Sequence, residues 1–418
     1  MLLSLFRIAF RNVTRNTKRS LITMAAVIIG CAAIVFARGF INGLHSSMID
    51  GITETMTGDV QLHQQDYLKA TDALPLNLSI KLDEKVEGLL KEESRVDAWS
   101  GRLRFTGMLS NGLTTSLFIG NALDPDNEYK VTPQMQTDLA EGKGISNAEP
   151  SGVVVADKLA KAMKLKLGDS IVLTASTKDG ALNTMDATVV GIRKSMAALS
   201  GTEGMIVDIP LKTAQDLLYM PGEVTEIIVN VPQSKELARV ADDLHARFQS
   251  QAPELKVSVD DWSELSTSKF FVDILDMQDR VLWIVIGVLF AVMVTGIVNT
   301  MLMAVLERVR EIGTMMAVGV RRNKIVTLFI CEAMALGIIG SVTGGSIGYA
   351  VILGITVIKG GIAFTPAAFN KPVFVVPEVS FFYIAMVVLI AIIAGIVAAI
   401  YPALRASKLE PSEALRTV

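Results

Sequence analysis

Four long runs with almost no charged residue constrain this 418-residue chain more than any other feature. They cover residues 21–37, 281–306, 325–358 and 381–404. Since about 20 apolar residues in a helix cross the ~30 Å hydrocarbon core of a bilayer, each run predicts a transmembrane helix. The third run holds 34 residues. It is longer than one crossing, so the helix is expected to tilt, to break near Gly344–Gly345 or to end before Ile358.

The charges are divided unequally between the segments that flank these runs. Residues 1–20 contain five basic residues and no acidic one, and residues 307–324 contain five basic and two acidic residues. Residues 38–280 instead contain 24 basic and 36 acidic residues. Because short loops rich in Lys and Arg stay in the cytoplasm, we expect a multi-pass protein of the cytoplasmic (inner) membrane with both termini inside. Residues 38–280 and a short loop at 359–380 then lie in the periplasm, and residues 405–418 form a cytoplasmic tail.

The first 20 residues have a basic helical face. Arg7, Arg11, Arg15 and Arg19 recur every four residues. This spacing predicts an amphipathic interfacial helix that lies on the anionic inner leaflet and contacts membrane lipid. A basic start followed by an apolar run is also the pattern of a signal peptide, although this run is long for one. Whether the N-terminus is processed is left open.

Helical patterns continue beyond two of the membrane runs, and we call these extensions the stalk helices. One continues the first run through residues 38–56, and the other begins near Ser263, behind an Asp261–Glu264 cap, and enters the second run. Their apolar side chains are candidates for lining a substrate cavity, or else they pack against each other as a stalk core. These candidates are Phe40, Leu44, Met48, Ile52, Phe270, Phe271, Ile274 and Met277.

The segment between the stalk helices predicts a large α+β extracytoplasmic domain. Strand and helix patterns at both of its ends predict a small α+β subdomain assembled from the two ends. Short strands and turns across residues 96–218 predict a β-rich subdomain inserted into it. The two cysteines, Cys31 and Cys331, fall in apolar runs, so this domain is not expected to depend on disulfides. The expected fold class is therefore an α-helical membrane protein with four transmembrane helices and this α+β domain.

Residues 307–324 predict a short amphipathic helix between the second and third spans. Apolar residues recur at helical spacing from Ile312 to Val320, and Gly319 is placed as a stop. Such a helix at the inner membrane face is suited to bind a soluble partner. The alternative is a solvated loop whose charges only fix the topology.

Three motifs carry a resemblance to a known family. Residues 307–319 contain the pattern E-R-x-R-E-I-G-x-x-x-A-x-G, and residues 401–416 read YPALRASKLEPSEALR. Both are similar to the MacB/FtsX superfamily of ABC-transporter permeases, and GVVVADKLAKAMKLKLGDSIVLT at 152–174 resembles its periplasmic domain. The segment TGDVQLHQQDYLK at 57–69 looks most like the lipoprotein-releasing permeases of the LolC/LolE type.

This resemblance implies a permease subunit that couples ATP hydrolysis on a separate ATPase to extraction of a lipoprotein or another amphiphile from the outer leaflet. The alternatives are efflux of a drug, peptide or toxin, and FtsX-like activation of a cell-wall hydrolase. The implied partners are two copies of an ABC ATPase, a second permease copy or a paralogue, and a periplasmic carrier or adaptor, with no nucleic acid. The residues implied to couple to the ATPase are Glu307, Arg308, Arg310, Glu311, Ile312, Met315, Met316, Gly319 and Arg321.

Motifs for covalent chemistry are absent from the sequence. It contains no G-x-x-x-x-G-K-[ST] motif, so ATP and Mg are expected on the partner ATPase and no cofactor on this chain. The G-x-S-x-G match at 344–348 lies in an apolar run, and all three histidines precede it. The histidines are far apart in sequence, so we expect neither a catalytic residue nor a metal site.

The third span carries two further features. Gly340, Gly344 and Gly348 form consecutive G-x-x-x-G steps, which predict close approach of a neighbouring helix. Glu332 is an ionisable residue inside the same run. It is expected to reach the interface or to pair with Arg321 or Arg322, and its role is left open.

Overall fold

A computed structural model describes residues 17–195, 203–232, 236–364 and 373–408. The helices are α1 (Thr17–Ile52), α2 (Glu84–Lys91), α3 (Pro125–Val131), α4 (Gln134–Thr137), α5 (Asp157–Met163), α6 (Leu211–Leu218), α7 (Leu237–Gln251), α8 (Lys269–Glu307), α9 (Val309–Ala317), α10 (Arg322–Lys359) and α11 (Phe381–Ser407). The strands are β1 (Val60–Gln64), β2 (Ile80–Lys81), β3 (Ala98–Ser110), β4 (Thr115–Leu123), β5 (Leu139–Gly142), β6 (Gly152–Ala156), β7 (Ser170–Ser176), β8 (Leu182–Arg193), β9 (Ile206–Pro210), β10 (Glu223–Val224), β11 (Glu226–Asn230), β12 (Val257–Asp261), β13 (Ile362–Phe364) and β14 (Val373–Val375).

The chain divides into two compact units. The helical unit comprises the described parts of Met1–Ser47, Ile274–Phe364 and Phe374–Val418. The sheet unit comprises Met48–Asp273 with Thr365–Val373, again in their described parts. Helices α1 and α8 each begin in one unit and end in the other.

Helices α1, α8, α10 and α11 are the four in the described residues that are long and apolar enough to cross a membrane. Each contains one of the apolar runs, so the predicted set of spans is confirmed by length and composition. Helix α10 runs unbroken through Gly344–Gly345 and on to Lys359. The expected break and the expected early end are therefore both wrong. At 38 residues α10 is about 57 Å long, so it is much longer than the bilayer core.

The second stalk helix begins later than the sequence predicts. Helix α8 starts at Lys269 rather than near Ser263, and Trp262–Glu264 forms a separate 3₁₀ turn. The Asp261 carboxylate does accept a hydrogen bond from the Ser263 N–H at 2.7 Å, but it caps this short turn. Leu265 then adopts extended dihedral angles, which interrupts the helical path before α8.

Polar contacts join α1 to α8 within the helical unit. The Thr23 hydroxyl donates to the Thr300 hydroxyl at 2.6 Å. Further along both helices, Arg38 donates to the Asp279 carboxylate at 2.7 Å. Between these contacts, Gly30 lies so close to Met293 that a Cβ at position 30 would be 2.7 Å from the Met293 sulfur. The two helices are therefore held together by both hydrogen bonds and close packing.

The sheet unit is built on one large mixed sheet. Its strand order is β12–β1–β11–β3–β4–β9–β6–β8–β5, and β7 pairs with both β3 and β8. Strand β1 comes early in the unit and lies between β11 and β12, which come last, so the two ends of the segment form one subdomain. Helices α2 and α7 cover this part through a cluster that includes Val86, Leu90, Leu244 and Phe248. The fold class predicted from the sequence is confirmed.

The inserted β-rich part shares the same sheet rather than forming a separate one. The first five residues of β3 pair with β11, and its remaining length pairs with β4. A second core, which includes Phe105, Phe118, Val155 and Leu173, fills the β-rich part. The rings of Phe105 and Phe118 pack edge to face at 5.8 Å. A single long strand, β3, therefore carries the chain through both subdomains.

Candidate functional site

The segment between α8 and α10 is shorter and more sharply bent than the helix predicted over 307–324. Glu307 is the last residue of α8, and Arg322 is the first of α10. Between them lies α9, which has nine residues. Gly319 has a φ of +97°, in the left-handed region that favours glycine, and the Val320 N–H donates to the Met315 carbonyl at 3.0 Å. The chain therefore turns at Gly319 and enters α10 directly.

The predicted coupling residues fall on two faces of this segment. Ile312 is buried in the core of the helical unit, and Met315 and Met316 are half-buried against the same core. The charged side chains are exposed, and we call them the coupling surface. The coupling surface consists of Glu307, Arg310, Glu311 and Arg321. An apolar face thus seats α9 on the helical unit, and the charged side chains of the coupling surface are exposed to solvent.

Arg308 does not belong to this surface, although the sequence pattern groups it there. Its side chain is 7% exposed and its Nη1 lies 3.4 Å from Oε2 of Glu332, which is 2% exposed. The backbone of Arg308 leaves the helical conformation between α8 and α9, with φ −110° and ψ 17°. The residue is therefore buried, whereas the expected partners of Glu332, Arg321 and Arg322, are both exposed. The expected pairing is wrong, and Arg308 instead ties the start of α9 to α10.

The three predicted packing glycines face α1. A Cβ on Gly344 would lie 2.5 Å from the Ile28 carbonyl oxygen, and one on Gly348 would lie 2.8 Å from the Ala32 carbonyl oxygen. At Gly340 a Cβ would be 2.8 Å from the Val27 side chain. Each distance is shorter than a Cβ tolerates. Helix α10 therefore contacts α1 along a seam that admits only hydrogen atoms at these positions.

The stalk side chains proposed for a substrate cavity do not share one environment. Phe270 and Met277 are 45% and 56% exposed. Phe40 and Ile274 are half-buried. The remaining four are fully buried in this chain: Leu44, Met48, Ile52 and Phe271. Buried side chains serve as core, so only the exposed and half-buried residues can offer surface to a substrate without rearrangement.

Parts of the sequence-based interpretation fall outside the described residues. These are most of the interfacial helix, residues 1–16, the last ten residues of the tail, 409–418, and residues 365–372 of the short loop. Among the residues that the structure does describe, no group of three or more His, Cys, Asp or Glu side chains is placed to hold a metal ion.

Two family models match the sequence, and together they cover most of it. The MacB-like periplasmic core domain matches residues 20–247. The FtsX-like permease C-terminal model matches residues 283–411. The first match alone exceeds half of the chain, so the chain belongs to the MacB/FtsX superfamily of permeases. The four long apolar helices of the chain are consistent with a protein of the inner membrane.

Relatives that are 23–25% identical to the chain align with 79–99% of it. The uncharacterized ABC transporter permease YknZ of Bacillus subtilis is 23% identical over 99% of this chain and 99% of its own length. The lipoprotein-releasing system transmembrane protein LolE of Haemophilus influenzae is 25% identical over 79% of this chain and 80% of its own. The macrolide export ATP-binding/permease protein MacB of Rhodopseudomonas palustris is 23% identical over 98% of this chain but only 59% of its own length. The protein is therefore an ABC-transporter permease of the MacB/FtsX type.

Proposed function

We propose that this permease couples ATP hydrolysis on a separate ABC ATPase to extraction of a lipoprotein or another amphiphile from the outer leaflet of the inner membrane. The observation that carries the proposal is the coupling surface, a set of exposed charges on α9 and at the adjoining ends of α8 and α10, while the apolar face of α9 is seated in the helical unit. The basic residues of this segment favour a cytoplasmic location, where an ATPase could reach it.

The proposed transmission starts at this surface and follows α8. A push on α9 acts directly on Ile312 in the helical core and on the buried Arg308–Glu332 pair. Helix α8 ends one residue before Arg308 and has 39 residues, so it is an uninterrupted rod of about 58 Å. Movement at its cytoplasmic end therefore reaches Lys269, the residue at which α8 begins in the sheet unit.

The assembly follows from the same reasoning. ATP binding needs a phosphate-cradling loop, and the sequence given contains no P-loop motif. We further propose that two ATPase copies act on two permeases, either two copies of this chain or this chain with a paralogue, as the family resemblance implies. A periplasmic carrier or adaptor would receive the cargo.

Lipoprotein is the cargo that two observations favour. The relative LolE is named for lipoprotein release and aligns with 79% of this chain. The segment 57–69, which resembles lipoprotein-releasing permeases, follows the first stalk helix directly. Efflux is the second candidate, because a relative named for macrolide export aligns with 98% of the chain.

Mass spectrometry of the gently purified, tagged protein would test the cargo. We expect an ABC ATPase together with enriched N-terminally acylated peptides, compared with an unrelated tagged multi-pass protein from the same membranes. An ATPase retained with an exit-duct or adaptor protein, but without acylated peptides, would contradict lipoprotein release and favour efflux. A retained cell-wall hydrolase would instead favour the FtsX-like role.

A further inference from the structure

The sheet unit contains a cavity of about 360 Å³ that the transport proposal does not use. Its floor is one face of the large sheet, where the strand registers bring polar residues side by side in two adjacent rows. His63 lies opposite Glu226, which also lies opposite Arg102 on β3. Arg104, two residues further on and on the same face, lies opposite Asn121. We call these residues the polar row, and the members that line the cavity are His63, Glu226, Arg102, Arg104 and Asn121.

The rest of the lining is half apolar and half polar. The apolar side chains come from the segments after α1 and β1, from β4, α4 and β9, from the start of α8 and from the turn before it. They are Met56, Leu68, Leu74, Ile119, Met135, Ile206, Leu265 and Phe270. Small-molecule sites also combine apolar side chains with a few charged groups, and the volume lies within the range of about 300–1,000 Å³ that such sites have.

Three arginines line the cavity, but they differ in how their donors are used. Arg102 is neutralised, because its Nε donates to the buried Glu128 carboxylate at 2.8 Å and its Nη1 to the Met56 carbonyl. Arg193 has a weaker contact, with Nε 3.3 Å from the Asp208 carboxylate. Arg104 forms an ion pair with Glu226, but the 3.7 Å between its Nη1 and the carboxylate is beyond hydrogen-bond distance. Arg104 and Arg193 therefore keep donors for another acceptor.

His63 provides an independent sign of a ligand. It lines the cavity and is 1% exposed, and its Nδ1 has no hydrogen-bond partner among the described residues. The nearest carboxylate, Asp260, is 3.8 Å from this nitrogen. The ring is fixed by stacking on Tyr67 at 5.1 Å. Since a buried polar atom without a hydrogen bond is costly, a bound group that reached this nitrogen would stabilise the arrangement.

We propose that this cavity binds an anionic amphiphile, with its carboxylate or phosphate held by Arg104 and Arg193 and its apolar chain against Leu265 and Phe270. Guanidinium groups bind such anions with two parallel hydrogen bonds, which matches the donors left over here. Residues 55–57, just after α1, and Phe270, in the first turn of α8, line the same cavity. A bound ligand would therefore fix the ends of two membrane helices, and the site stands whether or not the cargo is lipoprotein.

Calorimetric titration of the full-length protein in lipid nanodiscs tests the site, with octyl phosphate as the probe. We expect saturable binding that Arg104→Gln weakens about tenfold or more, because a charged hydrogen-bonded contact is lost. Arg239→Gln is the matched control: it removes an exposed guanidinium from the same unit but outside the cavity, so affinity should not change. Phe270→Ala, at a side chain that is 45% exposed, should fold normally and weaken octyl phosphate binding as well.

Two comparison ligands test the two parts of the proposed ligand separately: inorganic phosphate lacks the apolar chain, and octanol lacks the anionic group. Inorganic phosphate that binds as tightly as octyl phosphate would contradict an amphiphile, and octanol that does so would contradict an anion. The site would be ruled out if octyl phosphate showed no saturable binding, or if Arg104→Gln and Phe270→Ala both bound it as tightly as the wild-type chain. If Arg104→Gln fails to fold, the test rests on Phe270→Ala. This variant loses only an apolar contact, so it should weaken the binding of octyl phosphate more than the binding of inorganic phosphate. Equal effects on the two ligands would contradict the site.

Discussion

The pair Arg308–Glu332 shows most clearly what a single residue does in this protein. Both side chains are buried in the helical unit, with 3.4 Å between Nη1 and Oε2. The sequence marks each residue separately, one by its basic motif and the other by its place in an apolar run. It does not pair them, because the pairing depends on a backbone that turns out of the helix at Arg308. A buried arginine requires a partner, and among the described residues the carboxylate paired with Arg308 is that of Glu332.

Replacing Glu332 by Gln should strongly destabilise the helical unit. The change leaves the Arg308 charge buried and uncompensated, which typically costs about 3–5 kcal/mol. The measurement is the thermal unfolding of the purified protein in detergent. The double variant Arg308→Leu with Glu332→Leu removes both charges and should recover most of the loss. An unchanged unfolding temperature for the single variant would show that the ion pair does not hold this junction.

The buried Glu93 should make the sheet unit sensitive to acid. A hydrogen bond from Arg95, 2.8 Å from the carboxylate, holds the pKa of Glu93 below its ordinary value of 4.5, and Arg247 adds to the effect. Because the pKa of Glu93 is lower in the folded state than in the unfolded chain, its ionised carboxylate stabilises the sheet unit. This contribution is fully present above about pH 4.5 and is lost as the pH falls through the pKa of Glu93 in the folded state.

Hydrogen-exchange protection of α2 and α7 in the full chain checks this effect. Glu93→Gln should lower protection at pH 7, and the difference from the unchanged protein should shrink as the pH falls below 4.5. The control is Glu84→Gln, at an exposed position on α2. A difference that stays constant across this pH range would contradict the assigned role of the carboxylate.

At the scale of elements, the seam between α1 and α10 depends on glycine backbones. The G-x-x-x-G spacing predicts close packing, but it does not say which helix packs there, because any helix with small or complementary residues could. The structure places α1 on the face of Gly340, Gly344 and Gly348, and it places α11 near Gly337 and Gly345. Helix α10 is thus packed on two sides.

Gly344→Ala should reduce stability, whereas Gly354→Ala on the same helix should not. A Cβ at position 344 would lie 2.5 Å from the Ile28 carbonyl oxygen, but one at position 354 would meet nothing within 4 Å. Overpacking of this kind typically costs about 1–3 kcal/mol. Alanine is otherwise the better helix former, so position 354 should be neutral or slightly stabilised. The measurement is the thermal unfolding temperature of both variants in detergent. Equal changes in this temperature for Gly344→Ala and Gly354→Ala would mean that the seam is not tightly packed.

For the whole molecule, the apolar runs were sufficient to predict the four membrane helices, because bilayer thickness sets their length. The pairing of β1 with β11 and β12 was also foreseeable, since strand patterns recur at both ends of the segment. Two features could not be read from local patterns. The sequence pattern does not show whether α10 continues through its glycines, and the polar row across β1, β11, β3 and β4 appears only when strands distant in sequence are aligned.

The candidate site was predictable only in part for the same reason. Charges on a short amphipathic helix identify the coupling surface, but spacing alone does not separate Arg310, which is exposed, from Arg308, which is buried. The apolar stalk residues likewise share one pattern, although Leu44 and Phe271 are buried while Met277 is exposed. Which residues meet a partner is decided by the tertiary fold.

The measurement that tests the central claim most directly is the amount of ABC ATPase that copurifies with the tagged protein, determined by quantitative mass spectrometry. The wild-type chain should retain an ATPase, and Arg310→Glu with Glu311→Arg should lose most of it, because both inverted charges lie on the coupling surface. The matched control inverts an exposed ion pair of α2, Glu87→Lys with Lys91→Glu, and should retain the ATPase fully. No ATPase on the wild-type chain, or equal amounts on all three proteins, would contradict the account.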